Sequence, residues 1–258
     1  MEAKLSSRVE QQIISWLKQH DISGEFEHGH SPQQITELSS RAANRDFKTI
    51  VAIGDDRSLL ACINGVLESG KDPAVGYIPL VRGTFAAQSL DIPNWKVAAQ
   101  NLIGRKLADY KLAKRPHGYI IFKENLVTKE SSSNPIVIEL NKNLKIKTDA
   151  NQILVHYLGN DSSGINHNFL LEVFSQKGAQ SGKMLSKKSL IPALSSTSMS
   201  SSNSSELVVR LYAETIEISN STHELFASTN DKIATPCTIS TSDKLIRLVV
   251  GKHSQLKY

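Results

Sequence analysis

The sequence predicts an α/β three-layer domain over residues 1–113, followed by an antiparallel β-sandwich domain over residues 114–258. Three observations predict it. Helical and strand signals alternate through the first part, which is the pattern of a parallel sheet with right-handed crossovers. From about Lys114 the segments become short, apolar and separated by turn residues, as in an antiparallel sandwich. The 258 residues are 40% apolar, enough for a packed core in each part.

The elements justify this in order. In "SSRVEQQIISWLKQH", Val9, Ile13, Trp16 and Leu17 share one helical face, and Ser7 with Glu10 has capping-box spacing. "GEFEH", residues 24–28, is a short strand candidate. Ser31-Pro32 opens a second helix, with Ile35 and Leu38 inward. "FKTIVAIG" is a continuous apolar run ending in glycine, suited to a parallel strand covered on both faces. "RSLLACINGVLES" is a helix with Leu59, Ile63, Val66 and Leu67 inward. "AVGYIPL" is a second buried strand, and "TFAAQSL" and "NWKVAAQNLI" are helices on either side of Ile92-Pro93. The β-rich part reads as "GYIIF", "PIVIEL", "QILVHYL", "NFLLEVF", "LVVRLY", "TIEI" and "LIRLVV", with "KSLIPAL" helical. The tract "SSTSMSSSNSSE", residues 195–206, has nothing to bury and reads as a flexible loop.

Composition limits function. The formal net charge of +5 comes with no dense Lys/Arg block and no basic-aromatic stripe, so nucleic-acid binding is not expected. Two distant cysteines, Cys62 and Cys237, make neither a disulfide framework nor a zinc site. Both are expected to be reduced and at least partly buried. The polar start "MEAKLSSRVEQQ" is no signal peptide, and no apolar run is long enough for a membrane span. A cytoplasmic protein follows, with membrane contact only at the periphery. His28 and His30 stand as H-G-H without further ligands nearby and read as a surface loop.

The chemistry concentrates in "VAIGDDRSLL", residues 51–60. A glycine turn between a buried strand and a helix exposes backbone N–H groups at a positive helix end, which favours phosphate oxygens. A carboxylate beside it can hold Mg²⁺ or position a hydroxyl in phosphoryl transfer. Gly54 and Asp56 are placed for this, at the carboxyl end of a strand. The same residues also fit a plainer account, in which an Asp at a helix start caps it. On the residues alone the cap is the better account.

The motifs resemble those of the lipid kinase family of diacylglycerol kinases and bacterial sphingosine-kinase-like lipid kinases. "TIVAIGDDRSLLACINGVL" resembles the family signature V-x-G-G-D-G-T-x-N-E-V-x-N-G at Gly54, Asp56, Ser58, Leu59, Ile63, Asn64 and Gly65. "VGYIPLVRGTFAAQSLDIP" resembles its stretch from a strand-ending I-P through G-T-x-N-D to a second I-P, with Ile78, Pro79, Leu80, Ala87, Leu90, Ile92 and Pro93 matching. "TIEISNSTHELFASTNDKIATPCTISTSDKLIRLVVGK" resembles the closing strands. The signature is shared more distantly with NAD kinases and ATP-dependent sugar phosphofructokinases. The resemblance implies a first domain that binds ATP with Mg²⁺ and a lipid acceptor. It assigns loop contacts to Gly54, Asp55, Asp56, Arg57, Ser58, Arg82, Gly83 and Thr84. It also gives Asp56 a place near phosphate or metal.

The departures are concentrated at that site. Asp55 and Arg57 stand where the signature has glycines, and Leu60 and Ala61 where it has asparagine and glutamate. Thr84 and Phe85 replace the N-D pair of the second loop. The family's D-G-E, whose glutamate resembles a general base, falls on Ser228, Thr229 and Asn230, leaving Asp231 as the substitute base. The family's opening strand, with its asparagine-proline pair and glycine-rich turn, has no counterpart before the first helix. Two functions follow: a kinase transferring the ATP γ-phosphate to a lipid hydroxyl, or a catalytically impaired descendant that binds nucleotide, lipid or a protein partner.

Overall fold

Helix α1 (Ser7–Gln19) forms where its apolar residues recur at helical spacing. It buries Ile13 and Leu17, four residues apart. Ser7 is the first described residue of the helix, and Glu10 pairs with His28 Nε2 at 3.1 Å. The structure is a computed structural model and describes residues 7–116, 118–128, 135–159, 168–176, 184–185, 205–219, 225–227 and 232–251.

The expected strand at residues 24–28 is not one. A strand needs a hydrogen-bonded neighbour. Here Glu25 instead accepts from both terminal guanidinium nitrogens of Arg45, at 2.6 Å each, and Phe26 is left 41% exposed. Helix α2 (Pro32–Asn44) starts as expected: Ser31 Oγ accepts from the N–H of Gln34 at 3.2 Å, and Pro32 fills the first turn where no intrahelical donor is needed.

Next come β1 (Thr49–Gly54), α3 (Asp56–Ser69), β2 (Ala74–Pro79), α4 (Phe85–Ser89) and α5 (Trp95–Gly104). β1 and β2 pair in parallel, from Thr49 opposite Ala74 to Gly54 opposite Pro79. All six residues of β2 are buried, so both its faces are covered. α2 and α3 pack on each other and against β1, while α5 packs against β2 and carries α1 on it. Gly65 sets the α2–α3 approach, because a Cβ there would lie 2.2 Å from the carbonyl oxygen of Thr36. Thr36 Oγ1 reaches the Ala61 carbonyl across the same contact at 3.0 Å.

The remaining strands are β3 (Leu107–Arg115), β4 (Gly118–Ile120), β5 (Lys123–Thr128), β6 (Ile136–Leu140), β7 (Leu144–Thr148), β8 (Gln152–Tyr157) and β9 (Phe169–Gln176). They continue with β10 (Met184–Leu185), β11 (Ser205–Ala213), β12 (Ile216–Ser219), β13 (Leu225–Phe226), β14 (Lys232–Ile233) and β15 (Cys237–Val249). The described residues divide into two compact units, one of 7–112 and 243–251, the other lying between 113 and 242. The first unit thus regains chain beyond the expected boundary near 113. The reason is β15, whose Leu248 pairs in parallel with Val75 of β2.

The second unit is antiparallel. One sheet runs β11-β9-β8-β5-β13-β14, and a second ladder runs from β15 through β12, β6 and β7 to β10. Inward and outward residues alternate. Ile153, Val155 and Tyr157 of β8 meet Phe169, Leu171 and Val173 of β9 on the buried face, each at most 5% exposed. On the opposite face of that sheet, His156 Nε2 lies 2.8 Å from Glu172 Oε2, and Arg210 donates from Nε to Glu172 Oε1 at 2.8 Å. Burial opposes ionisation of Glu172, yet His156 and Arg210 hold its carboxyl below the ordinary range. A buried ion pair, Arg115 Nε to Glu124 Oε2 at 3.4 Å, joins β3 to β5. Cys62 and Cys237 are both free and buried, one in each unit. Among the described residues no helix is long and apolar enough to cross a membrane. The expected helix "KSLIPAL" and most of the serine tract lie outside the described residues.

Candidate functional site

The candidate turn is built from the end of β1 and the start of α3. Asp55 is the N-cap of α3, with φ −99° and ψ −177°. This extended backbone suits any residue, so Asp55 sits without strain where the family signature has glycine. Its Oδ1 accepts from both the backbone N–H and the Oγ–H of Ser58, each at 2.9 Å. An aspartate does cap the helix, but it is Asp55 and not the Asp56 of the candidate site. Gly54 is needed for a different reason: a Cβ there would lie 2.5 Å from Ser58 Oγ and 2.9 Å from Ser58 Cβ. The serine folds back over the glycine, and the aspartate holds it there.

Asp56 points the other way, to the second loop. Its Oδ1 accepts from the Tyr77 hydroxyl at 3.2 Å, and its Oδ2 accepts from the N–H of Phe85 at 3.0 Å. The Tyr77 oxygen also lies 3.3 Å from both the Gly54 carbonyl and Thr84 Oγ1. A phenol has one proton to give and lone pairs to receive. Donation to Asp56 and acceptance from the Thr84 hydroxyl satisfy both roles. Burial, aided by the neighbouring Asp56 carboxylate and opposed by the Thr84 hydrogen bond, keeps the Tyr77 phenol protonated far above its ordinary range. The backbone adds a further tie, from the N–H of Leu80 to the Gly54 carbonyl at 2.9 Å.

The second loop is closed by its own cap. Thr84 Oγ1 accepts from the N–H of Ala87 at 3.2 Å, Gly83 turns the chain at φ +74°, and the Gln88 side-chain amide donates to the Gly83 carbonyl at 3.2 Å. Arg57, Arg82 and Gly83 are exposed. The structure thus gathers Gly54, Asp56 and Thr84 around the Tyr77 hydroxyl, and pairs Asp55 with Ser58 beside them. Asp231, the expected substitute base, lies outside the described residues, as do Ser228, Thr229 and Asn230. Among the described residues no three His, Cys, Asp or Glu side chains gather as a metal site.

Sequence reasoning missed Tyr77. It treated "AVGYIPL" only as a buried strand, yet one phenol in an otherwise apolar run needs a polar partner. The register supplies it, since Tyr77 sits opposite Ala52, two residues before the glycine turn.

A cavity of about 310 Å³ opens at the other end of the parallel strands, where β1 and β2 begin. Lys48, Lys71, Arg105 and Arg247 line it with Asp46 and Asp72. Lys71 pairs with Asp46 at 3.1 Å, Arg247 with Asp72 at 3.0 Å, and Arg105 donates to the Lys48 carbonyl at 3.2 Å. Three of these cations follow the carboxyl ends of α2, α3 and α5, where positive charge offsets the helix dipole. Lys71 and Arg247 are answered by carboxylates, but the lining still holds four cations against two acids and is therefore net positive.

Comparison with known proteins supports one lineage. Residues 3–114 match the family model of the diacylglycerol kinase catalytic domain. No curated protein matches significantly. Among solved structures, a diacylglycerol kinase from Bacillus anthracis str. Sterne superposes with a TM-score of 0.68 at 16% identity, covering 98% of this chain and 94% of that one. A putative diacylglycerol kinase from the same source gives 0.68 at 13% identity, covering 96% and 93%. An NAD kinase from Archaeoglobus fulgidus in complex with ATP gives 0.53 at 12% identity, covering 98% and 93%. At such identities the structures speak for the fold alone, which is the α/β-plus-β-sandwich architecture expected from the sequence. With the fold in agreement, residues 3–114 are similar to the diacylglycerol kinase catalytic domain, and the chain as a whole shares the architecture of diacylglycerol kinase-like proteins.

Proposed function

We propose that this protein is a non-catalytic relative of the diacylglycerol kinases, one that keeps the two-part fold and serves as a binding module for a lipid or a protein partner. One observation carries the reading. Asp56, the acid of the turn that matches the family signature, has both carboxylate oxygens committed inside the protein, to Tyr77 and to the N–H of Phe85. Each oxygen keeps a further lone pair, but the two hydrogen bonds fix the carboxylate towards Tyr77 and Phe85, and any metal ion or hydroxyl has to meet it in that orientation.

The fit to ATP with Mg²⁺ is poor on other counts as well. The N–H of Ser58 already has an acceptor, and that acceptor is itself an anion. A triphosphate brought there meets charge of its own sign. Asn230, standing where the family has a general base, is neutral. Each loss of a transition-state contact removes about two orders of magnitude or more in rate. No phosphoryl-transfer step is therefore assigned to Arg57, Arg82, Gly83 or Thr84.

An active lipid kinase is the second reading, favoured by the position of Gly54 and Asp56 at the carboxyl end of β1. The two separate in one assay. The protein is incubated with labelled ATP, Mg²⁺ and mixed lipid vesicles containing diacylglycerol and a long-chain base. No labelled lipid, together with vesicle co-sedimentation, is the expected result. Labelled lipid that disappears in Asp56→Asn would overturn the non-catalytic reading.

A further inference from the structure

The geometry points to Asp55 as a built-in anion that closes the turn to phosphates, so that this one side chain excludes nucleotides from the amino end of α3. The inference rests on the non-catalytic reading above and names the residue that enforces it.

A strand–glycine–helix turn attracts phosphate because its first N–H groups have no intrahelical acceptor and lie at the positive end of the helix. In this chain a carboxylate tethered to the backbone by one methylene reaches that place first. Asp55 Oδ1 accepts from the N–H of Ser58 and from its hydroxyl, each at 2.9 Å, so one oxygen collects two donors of the turn. The arrangement is covalently pre-organised, whereas an incoming phosphate must lose its translational freedom to compete. It is also self-locking. Ser58 is held over Gly54 so closely that a Cβ on Gly54 would touch its hydroxyl at 2.5 Å, which leaves the space above the glycine filled by protein. Local stability and ligand exclusion thus come from the same two hydrogen bonds. Asp55 accordingly acts as a specificity-determining residue by occupying the anion's place, and no partner or second domain is needed for the effect.

Two substitutions separate the charge from the cap. Asp55→Asn keeps an N-cap acceptor and removes the charge, while Asp55→Gly removes both at a position glycine tolerates well. Binding of inorganic pyrophosphate and of ATP with Mg²⁺ is measured by titration calorimetry on the full chain, with circular dichroism as the check on folding. The expected result is affinity for both probes at least about tenfold tighter in Asp55→Gly than in the unaltered protein, with Asp55→Asn between them. If Asp55→Gly does not fold, the gain in Asp55→Asn decides. Folded variants that bind no more tightly than the unaltered protein overturn the inference. Labelled lipid made by the unaltered protein would instead overturn the non-catalytic reading, so the two fail by different observations.

Discussion

At the scale of the residue, the turn is a set of mutual constraints. Gly54 is there because Ser58 folds over it, Ser58 is there because Asp55 holds it, and Asp56 faces away because the Tyr77 hydroxyl and the Phe85 N–H donate to it. Gly54→Ala should therefore destabilise the protein by about 1–3 kcal/mol, the usual range for an inserted methyl group without room. The cause can be isolated. Gly54→Ala combined with Ser58→Gly removes the obstructing side chain, and urea denaturation should show part of the loss recovered. Equal stability of the single and double variants would show that the clash is not the cause. Half of this site was legible in the sequence. An Asp ahead of an apolar helical run announces a cap, and Gly54 announces a turn. Tyr77 was hidden because its role depends on which residue lies beside it in the parallel ladder, and local sequence does not encode that register.

At the scale of the element, buried polar groups mark where pattern reading fails. β5 and β7 were not foreseen, because "KENLVT" and "LKIKT" carry too much charge to read as strands. The structure resolves the conflict by turning Glu124 inward to meet Arg115 and leaving Lys145 and Lys147 outward. The reverse error, at residues 24–28, came from a segment with the right alternation and no neighbour to pair with. The sheet containing β8 and β9 also carries a pH response. His156 lies below its ordinary value of 6.5, chiefly through burial and with help from Lys123 and Arg210, while Glu172 pulls the other way. The folded state thus binds this proton less readily than the unfolded chain. The associated stability is complete above about pH 6.5 and declines as the pH falls through the depressed value. Urea midpoints measured at pH 7 and pH 5 should show a smaller loss in His156→Gln than in the unaltered protein. A loss of equal size would remove His156 from the account.

At the scale of the whole molecule, each unit has its own reporter. Burial pushes both Cys62 and Cys237 up to about 11, and neither is bridged. A thiol reagent that needs the thiolate should react with the folded protein at least about 100-fold more slowly than with the chain in urea. Single Cys62→Ala and Cys237→Ala variants then report the opening of one unit at a time, and a thiol that reacts at the unfolded rate in native buffer would refute its burial. The change of character near residue 113 was legible from composition, because helix–strand alternation gives way to short strands there. The return of residues 243–251 to the first unit was not, since "LIRLVV" reads the same whether its neighbour is β2 or another strand of the sandwich. That return has a consequence during synthesis. The strand that completes the first sheet is made more than a hundred residues after its partner, so the amino-terminal helices and strands must wait on the ribosome with one flank of β2 uncovered. For this chain, chaperone demand should be set by that delay rather than by the size of either unit.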